Sequence, residues 1–180
     1  MAQPNANVSS GLERTVHICV IAVCLVSLAL LLERRFLPNG SAPSAASSEK
    51  ALVGEHIEIA GLDWRSSPMN AVLYMNTRCH FCQESTPFYR EITDAQRSRR
   101  AGVSLSVLSA ESPEVMREYL TKKQIVVDGV YKLSSPVPAL TGTPTWLIID
   151  AGGIVRQAFI GKLNGSKEKE LLKIVQAGTT

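Results

Sequence analysis

Cys79-His80-Phe81-Cys82 places two thiols with two residues between them. A pair at that spacing can close into a small disulfide ring and reopen, and so exchange two electrons with another thiol or disulfide. The same spacing occurs in zinc sites, but a structural zinc needs four ligands. The other cysteines, Cys19 and Cys24, lie far upstream in an apolar run, and the remaining histidines are His17 and His56. Zinc fits poorly. On spacing alone, a redox couple and an inert pair of packed core cysteines both stay open.

The flanking residues bear on that choice. Ala71 to Asn76 reads as a buried strand, and Phe81 to about Arg97 has the pattern of a helix. Cys79 then falls at a helix N-terminus, where unpaired backbone N–H groups and the positive end of the helix dipole favour thiolate over thiol. His80 and Arg78 place cationic side chains on either side of it, though each also reads as an ordinary exposed loop residue.

Two further features complete a pattern. Pro87 lies five residues after Cys82, where it must kink a helix. Gly142-Thr143-Pro144-Thr145 runs directly into the strand-like Trp146-Leu147-Ile148-Ile149-Asp150. Together with the cysteines this resembles the thioredoxin superfamily, over roughly residues 51 to 178. The resemblance implies an α/β fold, a thioredoxin-like three-layer sandwich with a mixed central sheet. It implies that Cys79 is the exposed nucleophile, that Cys82 resolves the mixed disulfide, and that Pro144 is cis and faces the thiols. The Thr143 backbone would then be free to pair with a substrate strand, and no cofactor would be needed. The order of elements agrees: a strand over 103–110, a helix opened by Ser112-Pro113, the Thr-Pro strand, a hairpin through Ala151-Gly152-Gly153 into residues 154–160, and a last helix over 166–176 after Asn164-Gly165.

The departures from the family's pattern concern protons and potential. Classical members carry a buried acid where this chain has Leu73. Membrane-tethered members carry a Glu where this chain has Ser85, and the nearest acid here is Glu84, one residue earlier. One step on a helix turns a side chain by about 100°, so Glu84 serves as proton acceptor for Cys82 only if the local geometry redirects it. Phe81 stands where strongly oxidising DsbA-type members have His, and His80 sits beside the nucleophile instead. The tetrapeptide therefore does not choose between oxidant, reductant and isomerase.

Val16 to Leu32 is an apolar run interrupted by His17 and Ser27 and bounded by Arg14 and by Glu33-Arg34-Arg35. As a helix it would reach about 25 Å, the short end of what crosses a bilayer. A transmembrane anchor is expected over 16–32, after a tail at 1–15, with a cleaved signal peptide as the rival. Flanking charges barely discriminate orientation. A disulfide-exchange role suits an oxidising compartment, so the chain is expected in a bacterial inner membrane, facing the periplasm. Residues 33–50, rich in Ser, Ala and Pro, read as a flexible linker, and 51–180 as one domain. An added strand is expected over His56 to Ala60, as the resemblance to TlpA/ResA-type and redoxin-like members implies. Arg97, Arg99 and Arg100 read as a solvated helix end. A net charge of +3 argues for no nucleic-acid partner. The expected partners are cysteine-containing exported proteins and a redox protein that resets the dithiol.

Two other classes remain. A peroxiredoxin-type peroxidase would attack peroxide with Cys79, but its usual Thr three residues before the reactive Cys is here Asn76. Copper carriage through the thiols is the second, with His56 and His80 as candidate ligands, although relatives of that kind have three residues between their cysteines.

Overall fold

In a computed structural model of the chain, residues 16–28, 45–98 and 102–178 are described. Residues 16–28 form a helix (α1) whose side chains are exposed, Ile18 and Val23 among them. No helix among the described residues is long and apolar enough to cross a membrane. The described part of α1 reaches about 20 Å at 1.5 Å per residue. Residues 29–32 of the expected anchor, the tail 1–15, and Arg99 and Arg100 lie outside the described residues.

Residues 43–180 are a separate compact unit. Its strands are β1 (Met69–Tyr74), β2 (Val103–Ser109), β3 (Gly129–Lys132), β4 (Thr145–Asp150) and β5 (Val155–Ile160). They form one sheet in the order β3-β2-β1-β4-β5. β1, β2 and β3 run parallel, and β4 and β5 are antiparallel, so the sheet is mixed. The central strands β1, β2 and β4 are buried on both faces, which is why they read as unbroken apolar runs.

Alternate residues of each strand point to opposite faces. One face carries Ala71, Leu73, Leu105, Val107, Trp146 and Ile148. It packs against the helices α3 (His80–Glu84), α4 (Thr86–Ser98), α5 (Pro113–Lys122) and α6 (Gly165–Ala177). The other face carries Val72, Leu108, Leu147, Ile149 and Val155. It is covered by α2 (Ala45–Leu52), by residues 57–64 and by the loop that holds Leu133 and Leu140. The caps read from the sequence are present. Ser112 accepts from the Val115 N–H and precedes Pro113, and Asn164 accepts from the Lys167 N–H.

Three expectations are corrected. The linker expected over 33–50 is helical from Ala45 onward. Leu52 is fully buried, and the Glu49 carboxylate accepts from the Ile160 N–H (2.9 Å) and from Lys167 Nζ (2.7 Å), which fixes the helix against β5. The strand over His56 to Ala60 is reduced to a single bridge between His56 and Ile154. Nearby backbone acceptors are taken in other ways, the Ile57 carbonyl by the indole N–H of Trp64 at 2.9 Å. The edge strand β3 is an addition to the expected order. Its four residues are half-buried or exposed and give no periodic signal of their own. At the β4–β5 hairpin, Gly153 has φ +79°, and a Cβ there would come within 2.9 Å of both His56 Nε2 and Trp64 Cδ1, so the turn needs glycine.

Candidate active site

The strand β1 ends at Tyr74, and the chain turns through Asn76, Thr77 and Arg78 to reach Cys79. That turn is held from several sides. The Asn76 side chain accepts from the Arg78 N–H (2.8 Å), and Gln83 Nε2 donates to the Thr77 carbonyl (3.1 Å). The Glu111 carboxylate accepts from both the N–H (2.9 Å) and the hydroxyl (2.8 Å) of Thr77. Glu111 is a site residue that sequence reasoning missed, because it lies 34 positions away and only the β1–β2 pairing brings it to the loop.

Cys79 is the N-cap of α3, in extended conformation. Its sulfur accepts from the Cys82 N–H at 3.2 Å and donates to the Thr143 carbonyl at 3.3 Å. The Thr143–Pro144 bond is cis, as the resemblance implied. Thus Cys79, Cys82, Thr143 and Pro144, drawn from two distant stretches of sequence, meet at the end of the sheet. Both thiols are free.

The two sulfurs are electrostatically unlike. Partial burial works to raise the Cys79 pKa, but hydrogen bonds with Cys82, with Thr143 and with the Cys82 and Phe81 backbone outweigh it and hold the thiol below its ordinary range. Cys82 has no exposed surface, and burial, reinforced by its hydrogen bond with Cys79, pushes it up to about 12. The partly exposed sulfur is therefore the more readily ionised of the pair, and the inner one holds its proton.

Between and after them, His80 and Phe81 point outward. The Phe81 side chain is half exposed, and its ring lies 5.7 Å from that of His80. Arg78 is exposed. Glu84 does not turn inward. Its carboxylate lies between Lys162 Nζ (2.9 Å) and His80 Nε2 (3.0 Å) on the surface. The hydrogen bond from Lys162 is the main reason its carboxyl sits below the usual range. A break at Ser85 separates α3 from α4, because Pro87 has no N–H to give the Gln83 carbonyl. Ser85 uses its hydroxyl to donate to the Phe81 carbonyl (2.8 Å). No group of three or more metal-ligating side chains occurs among the described residues.

No protein-family model matches the chain, and no curated protein sequence matches it. Among solved structures it is similar to a protein described as a putative thiol:disulfide interchange protein DsbE from Chlorobium tepidum. That match is 16% identical with a TM-score of 0.52, and covers 70% of this chain and 96% of the other. It is also similar to the solution structure of a thiol:disulfide interchange protein from Bacteroides sp., 15% identical with a TM-score of 0.50, over 68% of this chain and 90% of the other. At such identities the likeness is one of fold. The mixed sheet agrees with it, and the chain has a thioredoxin-like α/β fold.

Proposed function

We propose that this protein is a thiol–disulfide oxidoreductase that exchanges disulfides with cysteines of exported proteins through Cys79 and Cys82. The observation that carries the reading is the asymmetry of the two thiols beside the Thr143 carbonyl: Cys79 partly exposed with its pKa lowered, Cys82 buried with its pKa raised. The Cys79 thiolate attacks one sulfur of a substrate disulfide. A mixed disulfide forms and the substrate's other sulfur leaves as thiolate. Cys82 then loses its proton and attacks Cys79 Sγ, closing the Cys79–Cys82 bond and releasing the second substrate thiol. Run in reverse, the same steps oxidise a substrate dithiol. Phe81 offers an apolar contact beside the reacting sulfur, and the Thr143 backbone offers pairing to an extended substrate segment. His80 and Arg78 flank the couple and tune it, and a redox partner resets it.

The test is a trapping experiment. Cys82→Ser leaves the nucleophile without its resolving partner and should accumulate mixed disulfides on non-reducing gels, whereas Cys79→Ser should accumulate none. Equal trapping by both variants, or by neither, would defeat the assignment.

The chain is further proposed to be anchored in the bacterial inner membrane by residues 16–32, with its catalytic domain in the periplasm. The apolar Val16 to Leu32 run and the need of the chemistry for an oxidising compartment support this. Full-length protein should resist carbonate extraction from membranes, and a tag after Thr180 should be reachable from outside that membrane. A shortened soluble form would point to a cleaved signal peptide instead.

A further inference from the structure

The turn from β1 to Cys79 is tied down by hydrogen bonds that converge from three elements. The Asn76 carbonyl accepts from the Cys79 N–H (3.2 Å), the Asn76 side chain from the Arg78 N–H, and the Thr77 carbonyl from Gln83 Nε2 of α3. The N–H and the hydroxyl of Thr77 both donate to Glu111, one to each carboxylate oxygen, at 2.9 and 2.8 Å. Glu111 is itself fixed. Its N–H donates to the hydroxyl of Ser109 (3.1 Å), which is fully buried at the end of β2, and the next residue, Ser112, caps α5. A half-buried carboxylate ordinarily pairs with a cation or faces water. Among the described residues none of the ion pairs includes Glu111, and both of its oxygens go to one residue of the reactive turn. The consequence runs through a single peptide plane. The Asn76–Thr77 peptide is trans, so its N–H and its carbonyl lie on opposite edges of one rigid unit. Glu111 holds the N–H edge, and the Cys79 N–H is bound to the carbonyl edge. Rotation of that plane would withdraw the acceptor from Cys79. Cys79 has the extended conformation of an N-cap (φ −72°, ψ 118°), and in it the sulfur accepts from the Cys82 N–H at 3.2 Å and reaches the Thr143 carbonyl at 3.3 Å.

We propose that Glu111 is a positioning residue for Cys79: by clamping Thr77 it fixes the Asn76–Thr77 peptide, and with it the N-cap geometry that presents the Cys79 sulfur for attack. This deepens the oxidoreductase reading above and rests on it. The clamp acts through geometry, and its charge works against it. A negative charge close to a thiol disfavours the thiolate, so a Glu111 that acted by its charge would hold Cys79 back. Hydrogen bonds to the sulfur favour the thiolate, and they depend on direction, so they weaken steeply when the donor turns away. Glutamine has the shape to replace the carboxylate. Its amide oxygen accepts from the Thr77 N–H, and its amide nitrogen donates to the Thr77 hydroxyl, which accepts as well as donates. Alanine leaves both groups of Thr77 without that partner.

The test follows Cys79 alkylation by iodoacetamide and thiolate absorbance in the reduced full-length protein across about pH 6 to 10. In Glu111→Ala the midpoint of the Cys79 profile should move up by about 0.5 to 1 pH unit, and alkylation at neutral pH should slow about 3- to 10-fold, the effect of losing roughly one directed hydrogen bond. Glu111→Gln should recover most of the wild-type rate. Thr77→Val, which removes the hydroxyl and keeps the N–H, should move the profile in the same direction by a smaller amount. An unmoved profile in Glu111→Ala, with only a lower denaturation midpoint, would make Glu111 a part of the scaffold and overturn the proposal. Faster alkylation in both Glu111→Ala and Glu111→Gln would overturn it in favour of a charge effect. If Glu111→Ala does not fold, Thr77→Val decides, and an unmoved profile there overturns the clamp. Stopped-flow exchange with a peptide disulfide tests the reading beneath it. A wild type that alkylates but does not exchange would remove that reading and the proposal with it, whereas normal exchange beside an unmoved Glu111→Ala profile would overturn the clamp alone.

Discussion

The two faces of the central sheet are both buried under apolar side chains and treat their polar groups in opposite ways. On the face covered by α2 and residues 57–64, the buried indole of Trp64 donates to the Ile57 carbonyl at 2.9 Å, and Asn70 Nδ2 donates to the Trp64 carbonyl at 3.1 Å. On the face that holds the thiols, the indole N–H of Trp146 has no partner, and neither do the hydroxyls of Thr86, Tyr89 and Tyr119. Among the described residues the far face leaves one buried side-chain atom unpartnered, Asn70 Oδ1, and the thiol face leaves four. Two buried tryptophans in one small domain thus meet different conditions: one is a satisfied structural wedge, the other sits where polar groups are held unsatisfied near a reactive pair. The near face carries the larger apolar cluster, so it is the pairing of polar groups and not the extent of burial that distinguishes the two.

The largest effect should come from the far face and should leave the chemistry alone. Leu52 of α2 is fully buried against that side of the sheet. Leu52→Ala should lower the unfolding free energy by about 2–5 kcal/mol, the cost of a leucine-to-alanine cavity. Urea denaturation measures it. Cys79 alkylation in the folded variant should keep its wild-type rate. A variant as stable as the wild type would mean that α2 is not part of the folded core.

The second prediction separates the two thiols. Cys79 is lowered in the fold, so between its folded value and the ordinary thiol value of 9.0 the unfolded chain holds a proton that the folded chain has lost. Stability of the reduced protein from this group therefore rises with pH up to about 9 and is lost as pH falls through the folded value. Cys82 is raised to about 12, so from pH 9.0 to about 12 the folded chain holds the extra proton and stability falls. Denaturation of reduced wild type, Cys79→Ala and Cys82→Ala across about pH 7 to 11 checks both signs. The wild-type advantage over Cys79→Ala should grow toward pH 9.0, and its advantage over Cys82→Ala should shrink above it. Parallel curves would refute the asymmetry on which the nucleophile was assigned.

Most of the site is legible in local signals. Cys79 at a helix start, Pro87 at the kink, the Ser112-Pro113 and Asn164 caps and the Thr143-Pro144 strand entry are each decided by a few neighbouring residues, and each is found where the pattern puts it. What is hidden depends on contacts distant in sequence. The helix α2 has a Ser- and Ala-rich composition that suits a tether, and it is held by Leu52 under the sheet and by Glu49 pairing with Lys167. Glu111 reaches Thr77 only because β1 and β2 are paired. The inward direction of Thr86 and Tyr89 likewise follows only from the packing of α4 under the sheet.

The smallest predicted effect is the one that sharpens the comparison most. Glu84 is the acid nearest in sequence to Cys82, and the sequence alone leaves it as a candidate proton acceptor. In the structure it faces outward from the turn that holds Cys82, paired with Lys162 at 2.9 Å and His80 at 3.0 Å. These exposed pairs are screened by solvent and add little to stability. Glu84→Gln should therefore leave the rate of the resolving step and its pH profile at their wild-type values in stopped-flow exchange. Only a small change in the salt dependence of substrate encounter should remain, from altered charge beside Phe81. The sign of its own linkage offers a control. Because its folded pKa is depressed, whatever stability it contributes is present above the unfolded carboxyl value and is lost as pH falls through the folded one, so the variant should differ from wild type least in acid. If Glu84→Gln slowed resolution, the proton of Cys82 would be handled from the outer side of α3, and the contrast between a hydrogen-bonded far face and a near face that holds the thiols would have to be redrawn.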